Sequence, residues 1–132
     1  MIERVRKILH AEAAAISAIP LSLSVEQAID TILKCRGKVF TTGIGKAGYI
    51  AKKAASTFST TGTPSVFLHP GDAPHGDVGV IAEGDILLAF SNSGRTREVH
   101  ETILFCRKLL VSSVAAGAPG GAPCNCRRGA ET

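Results

Sequence analysis

The sequence predicts an α/β fold with three layers, in which one parallel sheet is covered by helices on both faces. Short apolar runs at 39–42, 65–68 and 85–90 have the composition of strands that are buried on both sides. Segments with the helical period of 3.6 residues alternate with these runs. A chain of 132 residues is long enough for one domain with a modest core.

Helices are expected before the first strand and after the first and third strands. Two segments with an apolar stripe precede the first strand, and each is expected to form a helix. The second of these helices is expected to begin at a capping box formed by Ser24 and Gln27. Gly37 provides its stop signal. The last helix is expected to run from Thr96 to about Leu110.

Charge and composition exclude two classes of partner. Of the net charge of +4, most lies in residues 107–132, because residues 1–106 hold eleven Lys/Arg and ten Asp/Glu. With one Tyr, five Phe and no Trp, the chain lacks the aromatic residues that interleave with basic ones in nucleic-acid sites. No apolar run reaches the roughly 20 residues of a membrane span. We expect no nucleic-acid partner, no membrane contact and a cytoplasmic location.

The composition changes after Leu110. Residues 115–123 consist only of Ala, Gly and Pro, and neither the helical nor the strand period continues there. The sequence therefore predicts one domain over 1–114, whose residues 111–114 could start a fourth strand, and a low-complexity, disordered tail over 115–132.

The four cysteines do not predict a metal site. Cys124 and Cys126 are spaced too closely for the usual zinc pattern and have no neighbouring histidine. Cys35 and Cys106 lie at the ends of predicted helices and have the pattern of reduced packing residues.

The loop after the third apolar run has the composition of a phosphate site. Three hydroxyls, a glycine and an amide precede a helix, where backbone N–H groups and the helix dipole favour an anion. These residues are Ser91, Asn92, Ser93, Gly94 and Thr96. The alternative is a helix cap with spare serines, although a cap needs only one such side chain.

The loop after the first apolar run is rich in glycine. Gly43, Gly45 and Gly48 allow backbone to approach a ligand closely, and Lys46 lies at the start of the following helix. A tight turn with a solvated lysine remains the alternative, because a glycine cluster alone is weak evidence.

The loop after the second run contains His69, Asp72, His75 and Asp77 within nine residues. Because histidine titrates near neutral pH, general acid–base chemistry is the favoured interpretation. A metal site and a purely structural loop with self-capping aspartates are the alternatives.

Two segments carry a resemblance to a known family. GIGKAGYIAKKAASTFSTTGTPSVFLHPGDAPHGDVGVI, followed by SNSGRTREV, resembles the sugar isomerase (SIS) domain, and more narrowly the arabinose-5-phosphate isomerases of the KpsF/GutQ family. The similarity covers about residues 1–110. It implies a flavodoxin- or Rossmann-like sheet, and interconversion of D-ribulose 5-phosphate and D-arabinose 5-phosphate for synthesis of Kdo, a lipopolysaccharide precursor.

The same resemblance implies roles for individual residues. The SNSG loop and Thr96 would hold the phosphate, and Lys46, His75 and Glu98 fall on active-site positions. No cofactor is implied, and the intact family forms homo-oligomers. Isomerisation through an enediolate needs a base and an electrophile. Glu98 suits the role of the base and Lys46 that of the electrophile, whereas His75 could open the sugar ring. Glu98 could also simply complement the helix dipole.

The chain departs from the family pattern after residue 110. The family has further strands there, two more active-site side chains, and in longer members a pair of CBS modules. We therefore expect a truncated isomerase domain that is weak or inactive by itself. A sugar-phosphate-binding module without catalysis, or another SIS isomerase such as a hexulose-phosphate isomerase, are the alternatives.

Overall fold

The structure, a computed structural model, describes residues 1–109 and 111–117. Helices and strands alternate after two opening helices, as the sequence predicts. The helices are α1 (Ile2–Ser17), α2 (Leu23–Leu33), α3 (Lys46–Thr60) and α4 (Arg97–Lys108). The strands are β1 (Val39–Thr42), β2 (Ser65–Phe67), β3 (Ile86–Phe90) and β4 (Ser112–Ala116). Two short 3-10 turns, Ala73–His75 and Asp77–Val80, lie between β2 and β3.

The strands form one parallel sheet in the order β2-β1-β3-β4. From β1 the chain crosses to β2 on one side, and it then passes back to β3 on the other side. The strands β1 and β3 are neighbours, and the loops that follow them therefore lead away in opposite directions along the sheet. In open parallel sheets, this switch point between strands is where ligands bind.

Helices α3 and α4 cover opposite faces of the sheet. The Thr41 hydroxyl donates a hydrogen bond of 2.8 Å to the Ala51 carbonyl, so Thr41 faces α3. The preceding residue, Phe40, belongs to a buried cluster with Val99 and Ile103 of α4. Successive residues of a strand point to opposite faces, so this pair confirms the predicted three layers.

Most of the described core lies on the α4 face. The connection between β2 and β3 packs there too, through Ala73 of the first 3-10 turn and Val78 of the second. Phe40 and Leu87 are at most 1% exposed at its centre. The core therefore holds the β2–β3 connection, which carries both loop histidines, against the sheet.

The predicted start of α2 is wrong. The helix begins at Leu23, and Ser22 is its N-cap residue, with extended backbone angles of φ −105° and ψ 165°. Ser24 therefore lies inside the first turn, and its hydroxyl is 2.6 Å from the Ser22 hydroxyl. No side chain caps this end, so the expected capping box of Ser24 and Gln27 does not form.

Gly37 is not the stop signal of α2. The helix ends at Leu33 with Lys34 at its C-cap, three residues before Gly37. A Cβ on Gly37 would lie 2.1 Å from Oδ1 of Asp85. The glycine is therefore required by the close approach of a carboxylate from a distant part of the chain.

The fourth strand continues past residue 114 to Ala116, where it pairs with Phe90 of β3. The rest of the predicted low-complexity tail, including Cys124 and Cys126, lies outside the described residues. Of the other two cysteines, Cys106 is buried, as predicted for a packing residue, and Cys35 is partly exposed. Burial raises the pKa of the Cys106 thiol to about 11.

Helix α1 contains no buried residue. Its apolar side chains, among them Ile2, Val5 and Leu9, are between about half and three quarters exposed. No helix in the two described stretches is long and apolar enough to cross a membrane.

Candidate functional site

The loops after β1 and β3 meet at the switch point of the sheet. Gly43 directly follows β1, and a Cβ on this residue would lie 3.0 Å from the carbonyl oxygen of Phe90, the last residue of β3. It would also lie 3.0 Å from the carbonyl of Ala47 in α3. Glycine therefore suits the close approach of these three backbone segments, since a Cβ would crowd both carbonyl groups.

The other two glycines of the cluster have separate structural roles. Gly48 packs its Cα face against the Gly43 carbonyl, from which a Cβ would be only 2.7 Å away. Gly45 has φ +60° and is the N-cap residue of α3, with no side-chain cap. The sharp turn places Lys46 as the first residue of α3, exposed at the carboxyl edge of the sheet.

The loop after β3 is folded around its own hydroxyls. Ser91 Oγ accepts a hydrogen bond of 3.1 Å from the Gly94 N–H and lies 3.2 Å from the Thr96 hydroxyl. Ser93 Oγ accepts one of 3.2 Å from the Arg95 N–H. Gly94 has φ +64°, which lets the loop turn back on itself. The hydroxyls of Ser91 and Thr96 converge on the start of α4, and that of Ser93 turns back to the loop backbone.

The amino end of α4 opens onto this loop. Thr96 is the N-cap residue, and its hydroxyl makes no capping bond to the first-turn N–H groups. Asn92 and Glu98 are exposed beside it. The positive end of the helix dipole is therefore available to an anion at this position.

A histidine that the sequence did not single out, His100, also contacts the loop. Its Nε2 lies 2.6 Å from the Gly94 carbonyl oxygen. On the other side, the Ser91 N–H donates to the carbonyl of Ala116 in β4 at 3.0 Å. The sequence did contain a signal for His100. It lies four residues after Thr96, and residues at this spacing share one face of a helix.

The two histidines of the β2–β3 connection are both exposed and differ in their surroundings. His69 follows β2, and its Nδ1 lies 3.2 Å from the Gly71 N–H and 3.5 Å from Asp72 Oδ2. His75 ends the first 3-10 turn and has no side-chain hydrogen bond or ion pair among the described residues. His69 thus has two partners for Nδ1, whereas the His75 side chain has none among the described residues.

A cleft of about 150 Å³ opens beside the glycine loop, between α3 and the end of β2. Its lining combines four predicted site residues with three residues that carry no prediction. The lining residues are Gly43, Gly45, Gly48, Tyr49, Lys52, Phe67 and His69. We call this space the α3 cleft.

The predicted site residues are therefore divided between two places. The glycines and His69 share the α3 cleft, whereas Ser91 to Thr96 form the loop on the other side of Gly43. Lys46, His75 and Glu98 are exposed, with no side-chain hydrogen bond or ion pair in the described part of the chain. No group of three His, Cys, Asp or Glu side chains within residues 1–109 and 111–117 is arranged to hold a metal ion.

One buried hydroxyl near the site has no partner among the described residues. Thr42 ends β1 and is fully buried, yet its Oγ1 makes no hydrogen bond. By the alternation of strand side chains, Thr42 faces the α4 side together with Phe40. An unpaired buried hydroxyl is unusual in proteins, and this one lies next to Gly43 at the carboxyl edge of the sheet.

Comparison with protein families matches residues 32–115 to the SIS domain. The chain belongs to the SIS domain family. The fold and the family predicted from the sequence are thereby confirmed, with the glycine loop, the β2–β3 connection and the loop after β3 all inside the matched range.

Similar proteins include several named arabinose 5-phosphate isomerase KdsD. The protein from Escherichia coli O6:H1 strain CFT073 is 43% identical over 93 residues, which cover 70% of this chain and 28% of that protein. The Yersinia pestis protein is 52% identical over 73 residues, which cover 55% of this chain and 22% of that protein. The chain thus spans about a quarter of the length of these relatives.

Solved structures of the same fold cover nearly the whole chain. A Bacteroides fragilis protein described as a phosphosugar isomerase involved in capsule formation has a TM-score of 0.85 and 41% identity, over 93% of this chain and 67% of its own. The Escherichia coli CFT073 protein c3406, solved in complex with arabinose 5-phosphate, has a TM-score of 0.80 and 34% identity, over 92% of this chain and 66% of its own.

Proposed function

We propose that the chain carries part of the active site of an aldose–ketose isomerase that acts on sugar phosphates. The main support is the loop after β3, where the hydroxyls of Ser91 and Thr96 converge on the uncapped amino end of α4. Donors and a helix dipole directed at one point bind a phosphate group well. The switch point of the sheet is also where ligands of parallel sheets bind.

Three exposed side chains, Lys46, His75 and Glu98, carry the groups that the proposed reaction needs. Isomerisation moves one proton between neighbouring carbons, while the carbonyl oxygen passes through an enediolate. The Glu98 carboxylate would take the proton from one carbon and return it to the other. The Lys46 ammonium would stabilise the negative oxygen, and His75 would assist ring opening. All three side chains are exposed, so the core shields none of them from a substrate.

The substrate we propose is D-arabinose 5-phosphate, in exchange with D-ribulose 5-phosphate. The names of the relatives support this choice, as does the arabinose 5-phosphate bound in c3406. The corresponding setting is cytoplasmic synthesis of Kdo for lipopolysaccharide. We further propose a homo-oligomer, because the apolar side chains of α1 are left exposed in the single chain.

Binding and turnover should be measured separately on the 132-residue chain. Calorimetry with D-arabinose 5-phosphate and with D-arabinose tests the phosphate site, and we expect binding only to the phosphorylated sugar. Formation of ribulose 5-phosphate tests the chemistry. The variant Glu98→Gln should keep the affinity and lower any turnover of the chain by about 10²–10⁴-fold, as for loss of a general base. Equal affinity for both sugars would contradict the proposal.

A second candidate function is sugar-phosphate binding without catalysis. It is favoured by one observation, namely that none of Lys46, His75 and Glu98 is held by a side-chain hydrogen bond or ion pair in the described residues. Catalytic groups normally need such support to stay within about 0.5 Å of the productive geometry. Phosphate-dependent binding with no turnover, in a chain that is folded by circular dichroism, would favour this second function.

A further inference from the structure

The α3 cleft shares no lining residue with the loop after β3. Its lining comes from the glycine loop, from α3 and from the end of β2, and no residue of 91–96 contributes to it. Gly43 divides the two places, since it lines the cleft on one side and contacts the Phe90 carbonyl on the other. The volume of about 150 Å³ is below the roughly 300–1,000 Å³ of drug-sized sites, so the cleft suits a compact ligand.

Lys52 is held at this cleft by two aromatic rings. Its Nζ lies 5.1 Å from the centre of the Phe67 ring and 5.8 Å from that of Tyr49. In helices, side chains lean toward the amino end, so the ammonium extends along α3 toward the glycine loop. Within the described chain no carboxylate lies within 4.0 Å of it. Lys52 therefore gives the cleft an oriented cation that has no carboxylate partner among the described residues.

His69 adds a second hydrogen-bond donor. Its two Nδ1 contacts require opposite protonation, since Gly71 N–H needs a free lone pair and Asp72 needs an N–H. The contact to Gly71 is the shorter, at 3.2 Å against 3.5 Å, and lies closer to ordinary hydrogen-bond length. The neutral ring then carries its proton on Nε2, which is a donor.

The lining thus has a definite chemical preference. It contains an ammonium, an imidazole and two aromatic rings, and none of its seven residues is acidic. Such a surface attracts an oxyanion, and the rings offer an apolar face to C–H groups.

We propose that the α3 cleft binds an anionic sugar derivative, whose oxyanion is held by Lys52 Nζ and whose carbon chain contacts Tyr49 and Phe67. The oxyanion can be a carboxylate or a phosphate, and the experiment distinguishes the two. Neither isomerase activity nor phosphate binding by Ser91 is required for this second binding event.

The experiment is a titration of the ¹⁵N-labelled 132-residue chain, followed by nuclear magnetic resonance. The probes are D-gluconate, inorganic phosphate and the neutral polyol D-arabinitol. We expect D-gluconate or phosphate to shift the amide signals of Gly45, Gly48 and Tyr49, with D-arabinitol at least about tenfold weaker, since it lacks the charge-assisted contact. The anion with the lower Kd identifies the preferred group. Shifts confined to residues 91–98, or equal Kd values for D-gluconate and D-arabinitol, would overturn the proposal.

Three variants test the role of Lys52. Lys52→Met keeps an apolar side chain against the rings but removes the charge, and it should raise the Kd of the binding anion at least about tenfold. Lys52→Arg keeps the charge and should restore most of the affinity. Lys53→Met is the matched control, because Lys53 is the next residue of α3 but does not line the cleft. Equal effects of Lys52→Met and Lys53→Met would refute the assignment. Spectra of unliganded Lys52→Met report whether it is folded, and Lys52→Arg tests the charge if it is not.

Variants of the loop after β3 separate this cleft from the proposed isomerase site. Ser91→Ala with Ser93→Ala should leave D-gluconate binding unchanged if the cleft is a separate site. Loss of D-gluconate binding in that double variant would show that the anion sits in the loop after β3, and would overturn the inference. Failure of the isomerase proposal would instead appear as binding of D-arabinose 5-phosphate that Ser91→Ala with Ser93→Ala does not weaken, with the Lys52 effects unchanged.

Discussion

The carboxylate of Asp85 accepts a hydrogen bond of 2.7 Å from the backbone N–H of Lys38. Its second oxygen accepts one of 2.8 Å from the N–H of Ala82. One buried side chain thereby joins the start of β1 to the turn before β3. The two strands that carry the site loops at their other ends are fixed relative to each other by this contact.

Removal of this carboxylate should destabilise the fold. Asp85 is only 5% exposed, so Asp85→Ala leaves two backbone N–H groups without their partners. We expect a loss of about 2–6 kcal/mol in the free energy of unfolding, from about 1–3 kcal/mol for each of the two unsatisfied groups. Urea denaturation measures this loss. Glu83→Ala, an exposed acid in the same turn, is the control and should change stability by less than about 0.5 kcal/mol.

Substitution of Gly43 should disturb both stability and ligand binding. In Gly43→Ala the new methyl would lie 3.0 Å from two backbone carbonyls, which cannot move independently. The cost should be about 1–3 kcal/mol, as for overpacking of a core. Gly79→Ala provides the control, because a Cβ there meets no atom within 4 Å. Thermal unfolding compares the two, and an equal change in Tm would argue against the close contact.

The hydroxyls of the loop after β3 should contribute strongly to phosphate affinity. Ser91→Ala combined with Ser93→Ala is expected to weaken binding of ribulose 5-phosphate by roughly 2–4 kcal/mol, since charge-assisted hydrogen bonds are lost. Ser93 also accepts a bond from the Arg95 N–H, so part of the effect is a looser loop. Calorimetry is the measurement. Unchanged affinity would place the phosphate elsewhere.

The Cys106 thiol should resist alkylation at mildly alkaline pH. Burial raises its pKa from 9.0 to about 11, so the reactive thiolate is scarce in the folded chain. At a pH slightly below 9, partly exposed Cys35 should react with iodoacetamide, and Cys106 should react only after unfolding, as peptide mass spectrometry would show. The raised pKa stabilises the fold below pH 9, and this contribution is lost as the pH rises toward 11. Labelling of both cysteines at equal rates would contradict this burial.

Any isomerase turnover should survive exhaustive treatment with a chelator. The proposed enediolate oxygen is stabilised by the Lys46 ammonium, so the reaction needs no divalent cation. The coupled assay would be repeated after chelation and again after addition of single metals. Loss of activity that one metal restores would contradict this prediction.

The strands could be predicted well because their signal is local. The run 39–42 coincides with β1, and the other two apolar runs contain β2 and β3 within one residue at each end. Continuous apolar residues between turn signals leave few other structures. The start of β4 was anticipated at residues 111–114, but its extension to Ala116 depends on pairing with β3, which the composition does not contain.

The errors and omissions arise from contacts between distant residues. Gly37 has the pattern of a helix stop, yet its role is set by the carboxylate of Asp85. Lys52 looks like an ordinary solvated lysine in the sequence, because Phe67 approaches it only when β2 packs beside α3. The glycine loop and the loop after β3 could be located in the sequence because turn and cap chemistry is local, and their roles in binding stay a prediction. The α3 cleft could not be predicted from the sequence, because its lining residues come together only in the folded chain.

The lack of any buried residue in α1 has a consequence for folding of the isolated chain. A helix of 16 residues is marginally stable in water by itself, and α1 gains no burial from the sheet. Its amide hydrogens should therefore exchange with solvent at nearly the rate of a free peptide. The amides of Phe40 and Leu87, at the centre of the core, should exchange only when the whole domain unfolds. We therefore expect the single chain to comprise a cooperative α/β unit and an amino-terminal helix that opens and closes independently of it.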